Sequence, residues 1–152
     1  MQHKFFLTFI ALMLFCSTIQ SQTVTEDVQI ANYVNRYYSK AQPEMSGLYV
    51  IKQVTTTGSK VKPGAEVTVH YEGRFLNNNV FDSSYQRNKP LTFVLGAGKV
   101  IPGWEQGIAT LRQGEKAILI IPSYLAYGDK KAGSIPANTP LVFNIEVVKA
   151  GK

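Results

Sequence analysis

Residues 69–90 read VHYEGRFLNNNVFDSSYQRNKP, with GKVIPGWEQG following at 98–107 and LAYG at 125–128. The first string opens inside an alternation. Val67, Val69 and Tyr71 fall on one side, and Thr68, His70 and Glu72 on the other, which is the period of a half-buried strand. Asn77-Asn78-Asn79 then predicts a tight hairpin, because Asn tolerates the left-handed backbone that such turns require. Phe81 and Asp82 begin the return strand, so Asp82 lies at the edge of the apolar face that carries Tyr71. In the second string the period changes. Trp104, Ile108 and Leu111 are spaced i, i+4 and i+7, which predicts a short helix beginning beside Pro102 with one apolar face.

Working outward, the strand period returns at Leu91, Phe93 and Leu95, and at Leu141, Phe143, Ile145 and Val147. Glu115–Ile121 is more continuously apolar, as expected of a central strand covered on both faces. Lys62-Pro63-Gly64, Gly96-Ala97-Gly98, Gln113-Gly114 and the segment from Pro136 to Pro140 punctuate these runs. Upstream, Thr23-Val24-Thr25-Glu26 has the form of a capping box. Ile30, Tyr33, Val34, Tyr37 and Tyr38 then share one face of a helix of about 14 residues. Pro43 ends that pattern. The expected fold class is α+β: an antiparallel sheet wrapped on one short helix and preceded by an N-terminal helix. The organisation read from the chain is a leader at 1–21, a helical extension with linker at 22–46, and one domain at 47–152.

The leader reading rests on Lys4, the 11-residue apolar run Phe5–Phe15 and the polar patch after it. That run is too short for a helix of about 20 residues that spans a bilayer. Cleavage after Ser21 would remove Cys16, the single cysteine. The expected setting is therefore periplasmic or secreted in a bacterium, with lipid anchoring through Cys16 as the alternative. The formal charge of +6 comes from lysines and arginines scattered among acids along the chain. That spread is a solvated surface rather than a nucleic-acid footprint.

Reactive chemistry is poorly served by these residues. His3 lies in the leader, and His70 points to the strand face opposite Tyr71. No serine has a histidine and an acid in range by sequence, and no metal-ligand spacing occurs. No cofactor is expected. Tyr71, Phe81, Phe93, Trp104, Tyr127 and Phe143 place six rings on one concave side. Two of them are phenols, and Asp82 lies beside them; buried phenols and carboxylates require partners. The inventory suits an apolar cup for an uncharged substrate.

The ordered set of hairpin, FDSS, RNKP, VIPGWEQG, LAYG, IP and LVFNIEVV resembles the FKBP-type peptidyl-prolyl isomerases, from about Gly47 to Lys149. The helix ahead of it is similar to the short extension of secreted bacterial members. The resemblance implies a half-barrel around the short helix and catalysis of Xaa-Pro bond rotation without covalent chemistry. It implies Asp82 and Tyr127 as the catalytic polar contacts, with Arg87 orienting Asp82. Trp104 is implied as the floor, and Tyr71, Phe81, Val100, Ile101 and Phe143 as walls. The Ile101 N–H would bind a substrate carbonyl, and Ile135 would close the loop side. The implied partners are proline-containing unfolded or nascent exported proteins, with macrolide proline mimics as inhibitors. A homodimer through the N-terminal helix is one alternative. A proline-binding adaptor or chaperone with little turnover is another. Two departures stand out. Leu91 occupies a wall position where many members carry a ring, and the Gly128–Ile135 loop is about one residue shorter and carries Lys130-Lys131.

Overall fold

Lys116–Ile121 (β5) is apolar on both sides because two different layers cover it. Ala117, Leu119 and Ile121 belong to one buried cluster, whereas Ile118 and Ile120 belong to another. The computed structural model describes residues 24–151. In chain order the remaining elements are α1 (Glu26–Tyr37), β1 (Tyr49–Val54), β2 (Glu66–Arg74), β3 (Val80–Ser83), β4 (Leu91–Val94), α2 (Pro102–Ile108), a 3₁₀ turn at Ser123–Leu125, and β6 (Leu141–Ala150). The sheet runs β1-β5-β6-β2-β3, with β4 also paired to β2, and every pairing is antiparallel.

β2 organises the site. Its first half, Glu66–Val69, pairs with β4, and its last residues, Glu72–Arg74, pair with β3. The edge opposite β6 is thus one interrupted strand, and residues 84–90 loop out at the interruption. Val67, Val69 and Tyr71 face inward as the alternation predicts. The Asn hairpin forms with Asn78 at φ 68°, in the left-handed region.

α2 lies on the inner face. Its Trp104 ring makes edge or tilted contacts with Tyr71 of β2, Phe93 of β4 and Phe143 of β6. A single ring can meet three strands only if the sheet curves around it. The approach to β5 is close because Gly107 carries no side chain: a Cβ there would lie 2.8 Å from the Leu119 methyls. The helix is shorter than its periodic pattern. It ends at Ile108, and Leu111 is brought into the core by the turn that follows.

α1 covers the outer face. Ile30, Tyr33 and Val34 are buried with Ile118, Ile120 and Val142. Three of the five residues on its apolar face are therefore spent on the chain's own sheet, while Tyr37 remains 47% exposed. Tyr33 and Tyr37 also hydrogen-bond the Asn78 amide at the hairpin tip, both at 3.2 Å. At the other end, the Glu26 carboxylate accepts from Ser123 N at 2.5 Å and Ser123 Oγ at 2.6 Å. The expected capping box is not what starts the helix. The N-cap is Thr25, without a side-chain cap bond, and Thr23 lies outside the described residues.

Candidate functional site

Ser84 explains how the edge loop is placed. It is fully buried, and its Oγ accepts from Tyr71 N at 2.7 Å and lies 3.1 Å from Tyr71 O and 2.9 Å from His70 Nδ1. These contacts pin the loop to β2 where pairing stops. Asn88, at φ 47°, turns the loop back, and Lys89 N bonds Ser84 O at 3.0 Å. Arg87 is thereby carried over the Tyr71 ring, with its guanidinium carbon 5.8 Å from the ring centroid.

A three-residue polar network results. Tyr71 OH donates to Asp82 Oδ2 at 2.5 Å, Arg87 Nη2 donates to Tyr71 OH at 2.8 Å, and Arg87 Nη1 pairs with Asp82 Oδ1. Partial burial works against ionisation of Asp82, but the bonds from Tyr71 and Arg87 outweigh it and hold the carboxyl below its usual value. For Tyr71, burial and then the bond to the Asp82 anion push the phenol up. The carboxylate is thus a fixed, already solvated anion, and the phenol a fixed donor.

Beside this network the floor and walls are ring and aliphatic carbon. Trp104 is 4% exposed, and its indole N–H has no partner among the described residues. It stands edge-on to Tyr71 at 5.0 Å and to Phe143 at 5.2 Å between centroids, and Phe81 meets Phe143 edge-on at 5.6 Å. Gly73 permits this, since a Cβ there would lie 2.6 Å from the Phe81 ring and 2.7 Å from that of Phe143.

The loop before α2 forms another wall. Glu105 reaches back from the helix and accepts from Gly96 N at 2.6 Å and Gly98 N at 3.0 Å. Val100 and Ile101 follow on this tethered loop. Ile101 is the N-cap, and among the described residues its N–H has no protein acceptor. Tyr127, 41% exposed, enters from the loop after the 3₁₀ turn.

Together these residues enclose a cleft of about 340 Å³ lined by Tyr71, Phe81, Asp82, Leu91, Gly98, Lys99, Val100, Ile101, Trp104, Tyr127 and Phe143. That volume is in the range of small-molecule or short-peptide sites. Of the residues expected at the site, Arg87 reaches it through Asp82 and Tyr71 rather than lining it. Ile135 is not in the lining. It is 6% exposed within the main core, bridged to Ala132 beneath the loop. Phe93 likewise supports Trp104 from inside the core. Gly98 and Lys99 line the cleft without having been singled out, although their place directly before Val100-Ile101 is the signal that could have found them. Among the described residues, no three His, Cys, Asp or Glu side chains cluster as metal ligands.

Comparison with known proteins agrees with this geometry. A family profile described as FKBP-type peptidyl-prolyl cis-trans isomerase matches residues 57–148. FK506-binding protein 2 of Debaryomyces hansenii is 54% identical over 59% of the chain and 66% of its own length. FK506-binding protein 2 of Candida glabrata is 46% identical over 72% of the chain and 84% of its own length. The crystal structure of FkpA from Escherichia coli superposes with a TM-score of 0.74 at 31% identity, covering 83% of this chain and 58% of that one. The fungal relatives overturn the expectation of a bacterial periplasmic or secreted protein. That expectation rested on the apolar run at 5–15, a feature of secretory leaders generally that carries no bacterial signature. The leader and Cys16 both lie outside the described residues.

Proposed function

This chain belongs to the FKBP-type peptidyl-prolyl cis-trans isomerases, enzymes of class EC 5.2.1.8, and we propose that it turns Xaa-Pro bonds over by holding the twisted peptide in the cleft between β2, α2 and the Tyr127 loop. One observation carries the reading: the single carboxylate of the cleft lining is already bonded by Tyr71 and Arg87, while the floor and facing walls are aromatic and aliphatic. Acid–base catalysis calls for a group poised to exchange a proton near the working pH. Asp82 and Tyr71 are shifted away from neutrality in opposite directions. Amide rotation moves no proton, so it suits such a site.

The energetic task is defined by the bond. Rotation destroys C–N resonance and faces a barrier of about 18–20 kcal/mol. The two Xaa-Pro isomers themselves differ by only about 0.5–1 kcal/mol. The twisted amide has a smaller carbon–oxygen dipole than the planar one. Leaving water for an apolar cleft therefore costs the planar form more. Trp104, Phe81 and Phe143 receive the proline ring. The free Ile101 N–H and the Tyr127 hydroxyl fix the chain on either side of the rotating bond. Asp82 lies against the carbonyl carbon as an oriented anion. Each ~1.4 kcal/mol of preference for the twisted form gives a factor of ten, so a millionfold acceleration needs about 8 kcal/mol.

The test is the cis-to-trans rate of a Leu-Pro or Phe-Pro peptide with the purified chain. Acceleration that FK506 abolishes is expected, by analogy with the ligand for which the fungal relatives are named. Tyr127→Phe and Asp82→Ala should slow the reaction only in part, and Trp104→Ala more. A folded chain that binds the peptide without speeding it would instead be a proline-binding adaptor.

A further inference from the structure

Lys99 lines the cleft, is exposed, and takes part in no ion pair or side-chain hydrogen bond among the described residues. The carboxylate in the same lining, Asp82, and the one that tethers the loop carrying Lys99, Glu105, are otherwise engaged. Asp82 is bonded by Arg87 and Tyr71, and Glu105 accepts from the backbone of Gly96 and Gly98. Beyond the lining residue Tyr127, Lys130 N bonds Tyr127 O at 3.3 Å, closing a four-residue turn. Such a turn holds the Cα atoms of Lys130 and the lining residue Tyr127 within about 7 Å of each other. Lys131 follows, and both lysines are exposed. Asp129 offsets one of them. Lys99 thus puts a positive charge in the lining beside apolar walls, with two further lysines in the turn that follows Tyr127, an arrangement that strengthens the field inside a cleft.

From this arrangement we propose that Lys99, assisted by Lys130 and Lys131, makes the cleft select peptides with a carboxylate side chain adjacent to the proline segment. The inference deepens the isomerase reading and rests on its assignment of the cleft as the proline site. An apolar cup by itself ranks substrates by the size of the residue flanking proline. A cation at its wall adds a ranking by charge, and an acidic flank would find there the partner that Lys99 lacks among the described residues.

The experiment compares peptides identical except for Glu or Gln on either flank of the proline. Both kcat/KM and affinity are read, the latter from the fluorescence of Trp104, the single tryptophan. At low salt the Glu peptide should be favoured by about two- to five-fold, the range of an exposed ion pair. The ratio should decline toward one at about 1 M salt, and it should fall by at least half in Lys99→Gln. A smaller decrease is expected in the Lys130→Gln/Lys131→Gln variant. A Glu/Gln ratio at or below one in low salt, or one unchanged by Lys99→Gln in a chain with native circular dichroism, overturns the proposal. The two readings fail separately. A charge preference in affinity without any acceleration sustains the selectivity and removes the isomerase; acceleration without preference does the reverse.

Discussion

The Tyr71 hydroxyl and the Asp82 carboxylate meet at 2.5 Å as a diagonal pair across β2 and β3, Asp82 standing opposite Gly73, two residues beyond Tyr71. Diagonal neighbours on one face of a sheet lie within reach of a long side chain. The residue directly opposite Asp82, Gly73, carries no side chain, and the space a Cβ would take there is filled by the Phe81 and Phe143 rings. The relationship converts an alternating strand and a hairpin into a fixed donor beside a fixed anion.

Their opposed shifts set the pH response. Asp82 is held below its ordinary 3.8, so it binds its proton less readily in the folded than in the unfolded chain. Its contribution is present above the unfolded value and disappears as pH falls through the lowered one. Tyr71 is raised above 10.0 and keeps its proton into the alkaline range. Log kcat/KM should therefore be flat from about pH 5.5 to about 8.5. A pH–rate profile with an inflection inside that window would contradict this account.

Removing the orienting cation should release the anion. Arg87→Gln leaves Asp82 with Tyr71 and the Ser83 backbone, and its titration, followed by carboxyl NMR, should move upward. Peptide turnover should fall several-fold as the carboxylate gains rotational freedom. An unmoved Asp82 midpoint would show that Tyr71 and the Ser83 backbone hold the carboxylate without Arg87.

Gly73→Ala tests the close approach of the rings. Its Cβ would press on both Phe81 and Phe143, at 2.6 and 2.7 Å. Overpacking of this kind costs about 1–3 kcal/mol, and because both rings line the cleft, peptide affinity should weaken with it. Urea unfolding and peptide titration of the same variant report the two effects. Native stability in the variant would mean that the rings yield without cost.

Glu115 offers a stability test remote from the cleft. It is 2% exposed and accepts from Lys52 Nζ at 3.0 Å and Arg112 N at 3.0 Å. Burial alone would raise its pKa, but these bonds lower it below 4.5. Glu115→Gln should cost about 1–3 kcal/mol at neutral pH. The wild-type advantage should be full above the ordinary carboxylate range and shrink as pH falls through the lowered value. A gap that persisted unchanged into strong acid would assign the loss to packing.

Ile30→Ala separates the outer layer from the site. Ile30 is 4% exposed against Ile118, Ile120 and Val142, on the sheet face opposite α2. Truncation should lower stability by about 2–5 kcal/mol and leave kcat/KM unchanged below the melting range. A parallel drop in kcat/KM would show that α1 is coupled to the cleft through β5 and β6.

The strands were legible because inward and outward residues alternate in them: Val67, Val69 and Tyr71, or Phe143, Ile145 and Val147. Trp104 and Ile108 were legible because helical spacing marks one face. Ile135 and Phe93 were less so. Periodicity records that a residue leaves water, and it does not distinguish the wall of a cleft from the core behind it. Phe93 was therefore expected among the rings of the site, and the family resemblance placed Ile135 at its loop side, whereas both lie in the core behind it. Lys99 shows the converse limit, since a charge in a loop reads as solvated surface until a cavity is seen beside it.

The sequence by itself determined the antiparallel strands, the hairpin turned by Asn78, the short helix at Pro102 and the ordered motifs of the family, because each depends on neighbours within a few residues. That β5 would be covered on two faces was also written in its apolar run. What covers the outer face, that Ser84 pins the edge loop so that Arg87 returns over Tyr71, and that Lys99 reaches the cleft without an ion-pair partner among the described residues were decided only by tertiary structure. Those relationships join residues far apart along the chain, and their distances are set by sheet curvature and by the missing side chains of Gly73 and Gly107, which no local pattern encodes.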